Sequence, residues 1–271
     1  MRSLLYVPAH QERFIAKAHE RGADAIILDL EDSVPAEAKD GARAGLAAAI
    51  NSVRQGGAQV FVRINDGERQ HDDARAAIKA GADGLYVPKV RSAYAIESLA
   101  VILDAEEAGG TPLQLVALIE DIGAVMDARS IARASRLTGL SVGGEDLALS
   151  LGAEPTPDVL RLPKLLVHYA AKDRGLWSFG LLRSAADYSD LAGIELAARE
   201  AQAHGFDGAT CVHPAVVPVL NTAFSPSADM FAWAERVIEA ARTGEGAFQV
   251  DGKMVDAPII ARARRILELR R

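Results

Sequence analysis

Eight short runs rich in aliphatic and β-branched residues recur along the chain, at residues 3–7, 25–28, 59–64, 84–87, 113–119, 140–142, 177–181 and 208–212. Longer, Ala-rich amphipathic stretches separate them, at residues 12–21, 36–55, 72–80, 93–107, 122–134, 157–173 and 190–204, with a short one at 214–222 after the eighth run. Runs that are apolar throughout, without alternation, belong to strands covered on both faces, and parallel neighbours need a crossover helix. Eight β–α units in about 220 residues therefore predict a (β/α)8 TIM barrel. The alternative is an open doubly wound sheet, but no Gly-rich phosphate loop follows the first run. The turns Arg21-Gly22-Ala23-Asp24, Ala80-Gly81-Ala82-Asp83 and His204-Gly205-Phe206-Asp207 each set a glycine just past a helix, where a left-handed cap is least costly.

The alternation stops after residue 224, which divides the chain into a barrel at 1–224 and a C-terminal helical extension at 225–271. Within the extension the pattern predicts a helix over 225–243, a glycine-rich hairpin-like segment over 244–252 and a final helix over 256–269. Such a tail is either a cap on its own barrel or an arm to a neighbour. Thirty Lys plus Arg against thirty-seven Asp plus Glu leave a net charge of −7, with no basic run, so a nucleic-acid partner is not expected. Cys211 is the single cysteine, which excludes an intramolecular disulfide and a cysteine-based zinc site. No stretch approaches the roughly 18 apolar residues of a membrane span, and the apolar run at the N-terminus is too short for a signal peptide. A cytoplasmic location is expected from these absences.

Active sites in such barrels lie at the C-terminal ends of the strands. The first polar residues there are Asp29, Glu31 and Asp32 after the second run, Arg63 and Asn65 on the third, and Lys89 after the fourth. Glu120 and Asp121 follow the fifth, Gly143-Gly144-Glu145-Asp146 the sixth, and His213 the eighth. Acids from three strands crowding one mouth raise one another's pKa, and a divalent cation with oxygen ligands resolves the repulsion. Two carboxylates with open positions suit Mg²⁺, with Glu120 and Asp146 as the candidate ligands. Asp121 begins a helix and is read as its cap, and capping is the alternative for Asp32 and for Asp146. Arg63 inside an apolar strand needs a partner, either an anionic substrate or an internal acid. Arg2 is a candidate substrate contact or a surface residue, and backbone N–H groups at Gly144 could meet an anion. Lys89 as a Schiff-base former is disfavoured, since an acidic mouth keeps it protonated. A Cys211/His213 nucleophile pair lacks a third, orienting group.

These stretches, with Val62-Arg63-Ile64-Asn65, Ala117-Leu118-Ile119-Glu120, Gly205-Phe206-Asp207-Gly208-Ala209-Thr210-Cys211-Val212-His213-Pro214 and the tail run Val250-Asp251-Gly252-Lys253-Met254-Val255-Asp256, follow a specific order and spacing. In them the chain resembles the citrate lyase β-subunit-like proteins and malyl-CoA lyases of the HpcH/HpaI-type aldolase superfamily. The resemblance implies a barrel of the phosphoenolpyruvate/pyruvate-domain type and Mg²⁺ on Glu120 and Asp146. It implies Arg63, Asp32 and Asp256 as catalytic residues, with Arg63, Arg2, Gly144 and Glu145 against the substrate. The implied reaction cleaves or forms a β-hydroxyacyl-CoA thioester, such as malyl-, citramalyl- or citryl-CoA, giving an acyl-CoA and a 2-oxo acid. The alternatives are malate-synthase-like condensation with thioester hydrolysis, and a citrate lyase subunit acting on an acyl-carrier-protein thioester. A homotrimer or hexamer is implied, with the tail of one subunit bringing Asp256 to the next; capping its own helix is the alternative for Asp256. The chain departs from the family pattern at Asp121, at Ala9-His10-Gln11-Glu12-Arg13 and at Phe179-Gly180-Leu181-Leu182-Arg183-Ser184-Ala185, where the acyl chain or thioester arm would enter.

Overall fold

A computed structural model describes residues 1–107, 109–242 and 247–270. It contains a ring of eight parallel strands: β1 Ser3–Pro8, β2 Ala25–Asp29, β3 Gln59–Arg63, β4 Gly84–Val87, β5 Gln114–Ile119, β6 Leu137–Val142, β7 Trp177–Phe179 and β8 Ala209–Cys211. The hydrogen-bonded order runs β7-β6-β5-β4-β3-β2-β1-β8, and a bridge between Phe179 and Gly208 joins its two ends. This is the expected (β/α)8 barrel. Its interior is filled by side chains, with Leu4, Ile27, Phe61, Tyr86, Val116 and Phe179 in one buried cluster. β7 and β8 are shorter than their apolar runs. Past Phe179 the chain leaves the ladder after one more bond, Gly180 N–H to Gly208 O at 2.9 Å.

The helices around the ring are α1 Glu12–Ala18, α2 Lys39–Ala44, α3 Leu46–Val53, α4 Gln70–Ala80, α5 Ala93–Glu106, α6 Ile122–Met126, α7 Ala128–Ile131, α8 Gly144–Leu151, α9 Pro157–Asp173, α10 Leu191–His204 and α11 Val217–Ala223. Two stretches that read as single helices are broken, one at Gly45 and one at Asp127, whose ψ of 7° is not helical. Gly22, Gly81 and Gly205 all adopt positive φ at helix ends, as their repeated turns predict.

The aspartate closing each of those turns ties down the N-terminal end of the barrel. Asp24 accepts the backbone N–H and the guanidinium of Arg2, Asp83 those of Val60 and Arg54, and Asp207 the N–H of Ser178 and the ammonium of Lys172. Each carboxylate thus covers the N–H of a residue where a strand enters the sheet, a donor that burial would otherwise orphan.

The chain separates into two compact units, Met1–Thr222 and Ala223–Arg271. The second holds α12 Ala228–Ala241, the antiparallel pair β9 Phe248–Val250 and β10 Lys253–Val255, and α13 Ala257–Glu268. Its own core gathers Ala234, Val237, Val250, Val255, Ala263 and Ile266. Asp251 and Gly252 turn the hairpin with φ of 53° and 74°, the positive pair that a tight two-residue turn demands. The expected end of the first tail helix near Thr243, and the glycines at 244 and 246, lie outside the described residues. Among the described residues no helix is long and apolar enough to cross a membrane.

Candidate active site

Strand register builds the mouth of the barrel. Asp29 and Arg63 are ladder partners at the last position shared by β2 and β3. Arg63 turns its Nε and Nη2 onto the two oxygens of Asp29, both at 2.7 Å, a paired contact that fixes the guanidinium plane. The same carboxylate accepts the N–H groups of Glu31 at 2.9 Å and Ser33 at 3.1 Å, so it also holds the turn beyond β2. Burial pushes the Asp29 carboxyl up, but the Arg63 contacts and these N–H groups outweigh it and hold it below the usual range. The ring of Tyr6 lies 5.0 Å beneath the guanidinium carbon.

The third nitrogen of Arg63, Nη1, reaches Glu31 at 2.9 Å and Asp32 at 3.2 Å. Glu31 is buried and takes Lys89 Nζ at 2.6 Å on its other oxygen. Burial nevertheless pushes its carboxyl up to about 6. Lys89 is held protonated by Glu31, which removes the Schiff-base reading. Its backbone has φ of 52°, and its N–H donates to Glu120 Oε2 at 2.7 Å.

Glu120 and Gly143 leave the sheet side by side, because Ile119 and Val142 end the β5–β6 register. A β-carbon on Gly143 would lie 2.7 Å from Glu120 Oε1 and 2.8 Å from its Cγ, so only glycine admits this carboxylate. Glu120 is 5% exposed, and burial, with the charges of Glu31 and Asp146, pushes it up to about 7. Asp146 sits in the first turn of α8, which Gly143 caps, so it is not itself the cap. Asp121 is a cap as expected, accepting the N–H of Ala124 at 3.0 Å.

A cavity of about 480 Å³ opens among Tyr6, Asp29, Arg63, Glu120, Asp146 and Lys164. Among the described residues no group of three or more His, Cys, Asp or Glu side chains is gathered as for a closed metal site. The Glu120–Asp146 pair fits the other arrangement, in which a hard cation keeps several positions for water or substrate oxygens. Burial first, and the neighbouring acids second, disfavour the charge of Glu120, and a bound cation would offset both.

The structure gathers Arg63, Asp32, Glu120, Gly144, Glu145 and Asp146 at this cavity. Asp32 is exposed at the rim, and Glu145 is exposed and accepts the Ser184 hydroxyl. Arg2 is not there. It precedes β1 and grips Asp24 at the opposite end of the barrel, so its expected substrate contact gives way to a structural one. Asp256 belongs to the second unit, at the N-cap position of α13, and its side chain makes no capping bond. His213 accepts the Ala215 N–H and stacks on Tyr188 at 4.8 Å, while burial pushes the Cys211 thiol up to about 12, which leaves no nucleophile pair.

Lys164 was not legible as a site residue. It lies on the inner face of α9, 4% exposed, and its Nζ donates to Leu181 O at 2.9 Å and Arg183 O at 2.7 Å. Burial pulls its pKa down to about 8.

A family model described as HpcH/HpaI aldolase/citrate lyase matches residues 2–214. A (3S)-malyl-CoA thioesterase of Cereibacter sphaeroides is 36% identical, the match covering 98% of this chain and 93% of that protein. The citrate lyase subunit beta of Leuconostoc mesenteroides subsp. cremoris is 31% identical, over 99% and 92%. Among solved structures, CitE from Mycobacterium tuberculosis in complex with magnesium, acetoacetate and coenzyme A superposes with a TM-score of 0.82 at 32% identity, covering 99% of this chain and 98% of that one. The citrate lyase beta subunit of the same organism, complexed with oxaloacetate and magnesium, gives a TM-score of 0.70 at 30% identity, over 83% and 97%.

Proposed function

The chain belongs to the HpcH/HpaI aldolase/citrate lyase family, and from that premise we propose that it is a Mg²⁺-dependent carbon–carbon lyase of β-hydroxyacyl-CoA thioesters. Malyl-, citramalyl- and citryl-CoA are the substrate class, and an acyl-CoA and a 2-oxo acid are the products. The observation that carries this reading is the placement of Glu120 and Asp146 in one cavity with Arg63, whose guanidinium is held by both oxygens of Asp29.

Glu120 and Asp146 would hold the cation. When bound, Mg²⁺ supplies Lewis acidity to the oxygens of the 2-oxo acid portion. Arg63, clamped by Asp29, offers Nη1 to the hydroxyl oxygen that becomes a carbonyl, so its charge is in place before the bond breaks. Asp32 flanks that nitrogen and keeps it oriented at the rim. Backbone N–H groups of Gly144 and Glu145, in the first turn of α8, face a substrate carboxylate. The substrate hydroxyl loses its proton to a carboxylate, the C–C bond breaks, and its electron pair moves onto the thioester as an enolate. The enolate carbon is then reprotonated. Asp256 of a neighbouring subunit is the proposed acid/base, and a carboxylate that its own helix does not use suits the role. The working unit is then a homotrimer or hexamer in the cytoplasm.

A relative named (3S)-malyl-CoA thioesterase favours a second reading, in which the same site ends in thioester hydrolysis. Incubation of the protein with malyl-CoA and Mg²⁺ distinguishes the two. Acetyl-CoA plus glyoxylate is the expected product. Free malate and free CoA without acetyl-CoA would overturn lyase chemistry in favour of hydrolysis. No turnover of any CoA thioester, with turnover of the carrier-protein form, would make the chain a citrate lyase subunit.

A further inference from the structure

Lys164 occupies a place where sequence patterning expects an apolar residue. Its neighbours on the inner face of α9, Leu160, Pro163 and Val167, are buried with it. An ammonium in such a place must have its donors satisfied. Among the described residues no carboxylate pairs with it; two backbone carbonyls do, those of Leu181 and Arg183. These carbonyls belong to the segment where the chain has left β7 and the sheet no longer offers partners.

That segment forms one wall of the cavity, through Gly180, Leu181, Arg183, Ser184, Ala185 and Ala186. The other side of Lys164 meets the turn that carries Asp146. A β-carbon on Gly144 would lie 3.4 Å from Lys164 Nζ and 3.1 Å from Leu160 Cδ1. One side chain therefore lies between the first turn of α8 and the strand-exit wall, bonded to the wall. At the rim the Ser184 hydroxyl donates to Glu145 and joins the wall to the same turn.

We propose that Lys164 is a positioning residue that sets the gap between the α8 turn and the 180–186 wall, and so determines how the acyl-thioester arm of the substrate fits. It does this through the backbone carbonyls of Leu181 and Arg183. The wall carries none of Arg63, Glu120 and Asp146. Loosening it should therefore weaken binding of substrate and transition state alike, which raises KM and spares kcat. The kinetic part rests on the lyase reading; the structural part does not.

The test is Lys164→Met, which keeps most of the apolar stem and removes both hydrogen bonds. Hydrogen–deuterium exchange on the whole protein should show amides in residues 180–186 exchanging about ten- to a hundred-fold faster, with the other strand ends unchanged, as expected for losing bonds from a charged donor. KM for malyl-CoA should rise about ten-fold, with kcat within about two-fold. Lys164→Gln, which keeps one amide donor, should recover part of both effects. If Lys164→Met does not fold, Lys164→Gln serves alone, with exchange in the same segment expected to quicken by a smaller factor. Unchanged exchange at 180–186 in the folded variant, or equal acceleration throughout the barrel, overturns the proposal. Altered exchange in a protein whose wild type cleaves no thioester would leave the positioning role standing and refute the lyase reading instead.

Discussion

At the N-terminal end of the barrel, Asp24, Asp83 and Asp207 each accept one strand N–H and one basic side chain. At the C-terminal end Glu120 and Asp146 share a cavity with Arg63, which Glu31 ties to Lys89, and these acids outnumber the bases. The difference is visible in their protons. Burial disfavours the charge of Asp24, but its Arg2 contacts prevail and hold it down to about 2. Burial also disfavours the charge of Glu120, and the neighbouring Glu31 and Asp146 add to it, so this carboxyl rises to about 7. Acid–base pairs at one end are closed and serve folding. At the other end the unbalanced charge is a cost to the empty site, and it becomes binding energy for a cation or a polar substrate.

The contrast is tested most severely at Glu120 and Arg63. Glu120→Gln should reduce kcat by roughly a thousand-fold. It should leave unfolding without metal unchanged or slightly harder, since it removes a repulsive buried charge. Arg63→Lys should cost about a hundred-fold in kcat, because a point charge cannot reproduce the paired grip on Asp29 that orients Nη1. Steady-state kinetics with thermal unfolding of the same samples checks both. A Glu120→Gln protein that is fully active, or that unfolds many degrees lower, would erase the distinction between the two ends.

Asp207→Ala should behave in the opposite way. It strands the Ser178 N–H and leaves Lys172 unpaired beside a strand entry. A loss of about 2–3 kcal/mol in urea unfolding is expected, with kcat per folded molecule unchanged. A large fall in kcat at normal stability would show that the closed end is not merely structural.

Much of this division was legible in the residues. The alternation of apolar runs and Ala-rich stretches predicts the barrel because each strand must be covered on both faces. The same register reasoning brings Asp29, Arg63, Glu120 and Asp146 to one mouth. Of the two readings of Arg2, topology favours the one without substrate. Arg2 precedes β1 and so must lie at the opposite end. Lys164 was hidden in the sequence. Its partners are carbonyls, which every residue has, and only the path of the chain after Phe179 brings those of Leu181 and Arg183 to it. The breaks at Gly45 and Asp127 are likewise not marked by the amphipathic pattern.

A smaller effect separates the ends by pH. The folded-state pKa of Asp24 is depressed, so its contribution to stability is fully present above the unfolded value and is lost as pH falls through the window from 3.8 to about 2. Asp24→Asn should therefore be less stable than wild type at pH 6, and the gap should narrow as pH falls through that window. Thermal unfolding at a series of pH values measures it. A gap that stays constant down to pH 2.5 would mean that the hydrogen bonds to Arg2, and not the charge, make the contact.

The smallest effect expected at the closed end is at its third pair. Arg54 and Asp83 have the same arrangement as the other two, with Arg54 Nη2 at 2.8 Å from the carboxylate. Their side chains, however, are 41% and 37% exposed, whereas those of Arg2 and Asp24 are 30% and 12% exposed. Water screens an exposed pair and its long side chains lose freedom in pairing, so such contacts contribute about 0–1 kcal/mol. Asp83 would still hold its bond from Val60 N–H at 2.7 Å after the arginine is gone. Arg54→Ala should thus cost less than about 1 kcal/mol, with the cost shrinking further in 0.5 M salt, whereas Asp83→Ala should cost more because it also strands the Val60 N–H. Urea unfolding of both variants at low and high salt makes the comparison. If Arg54→Ala proved as damaging as Asp83→Ala, the charge pair and not the covered backbone donor would be what closes this end of the barrel.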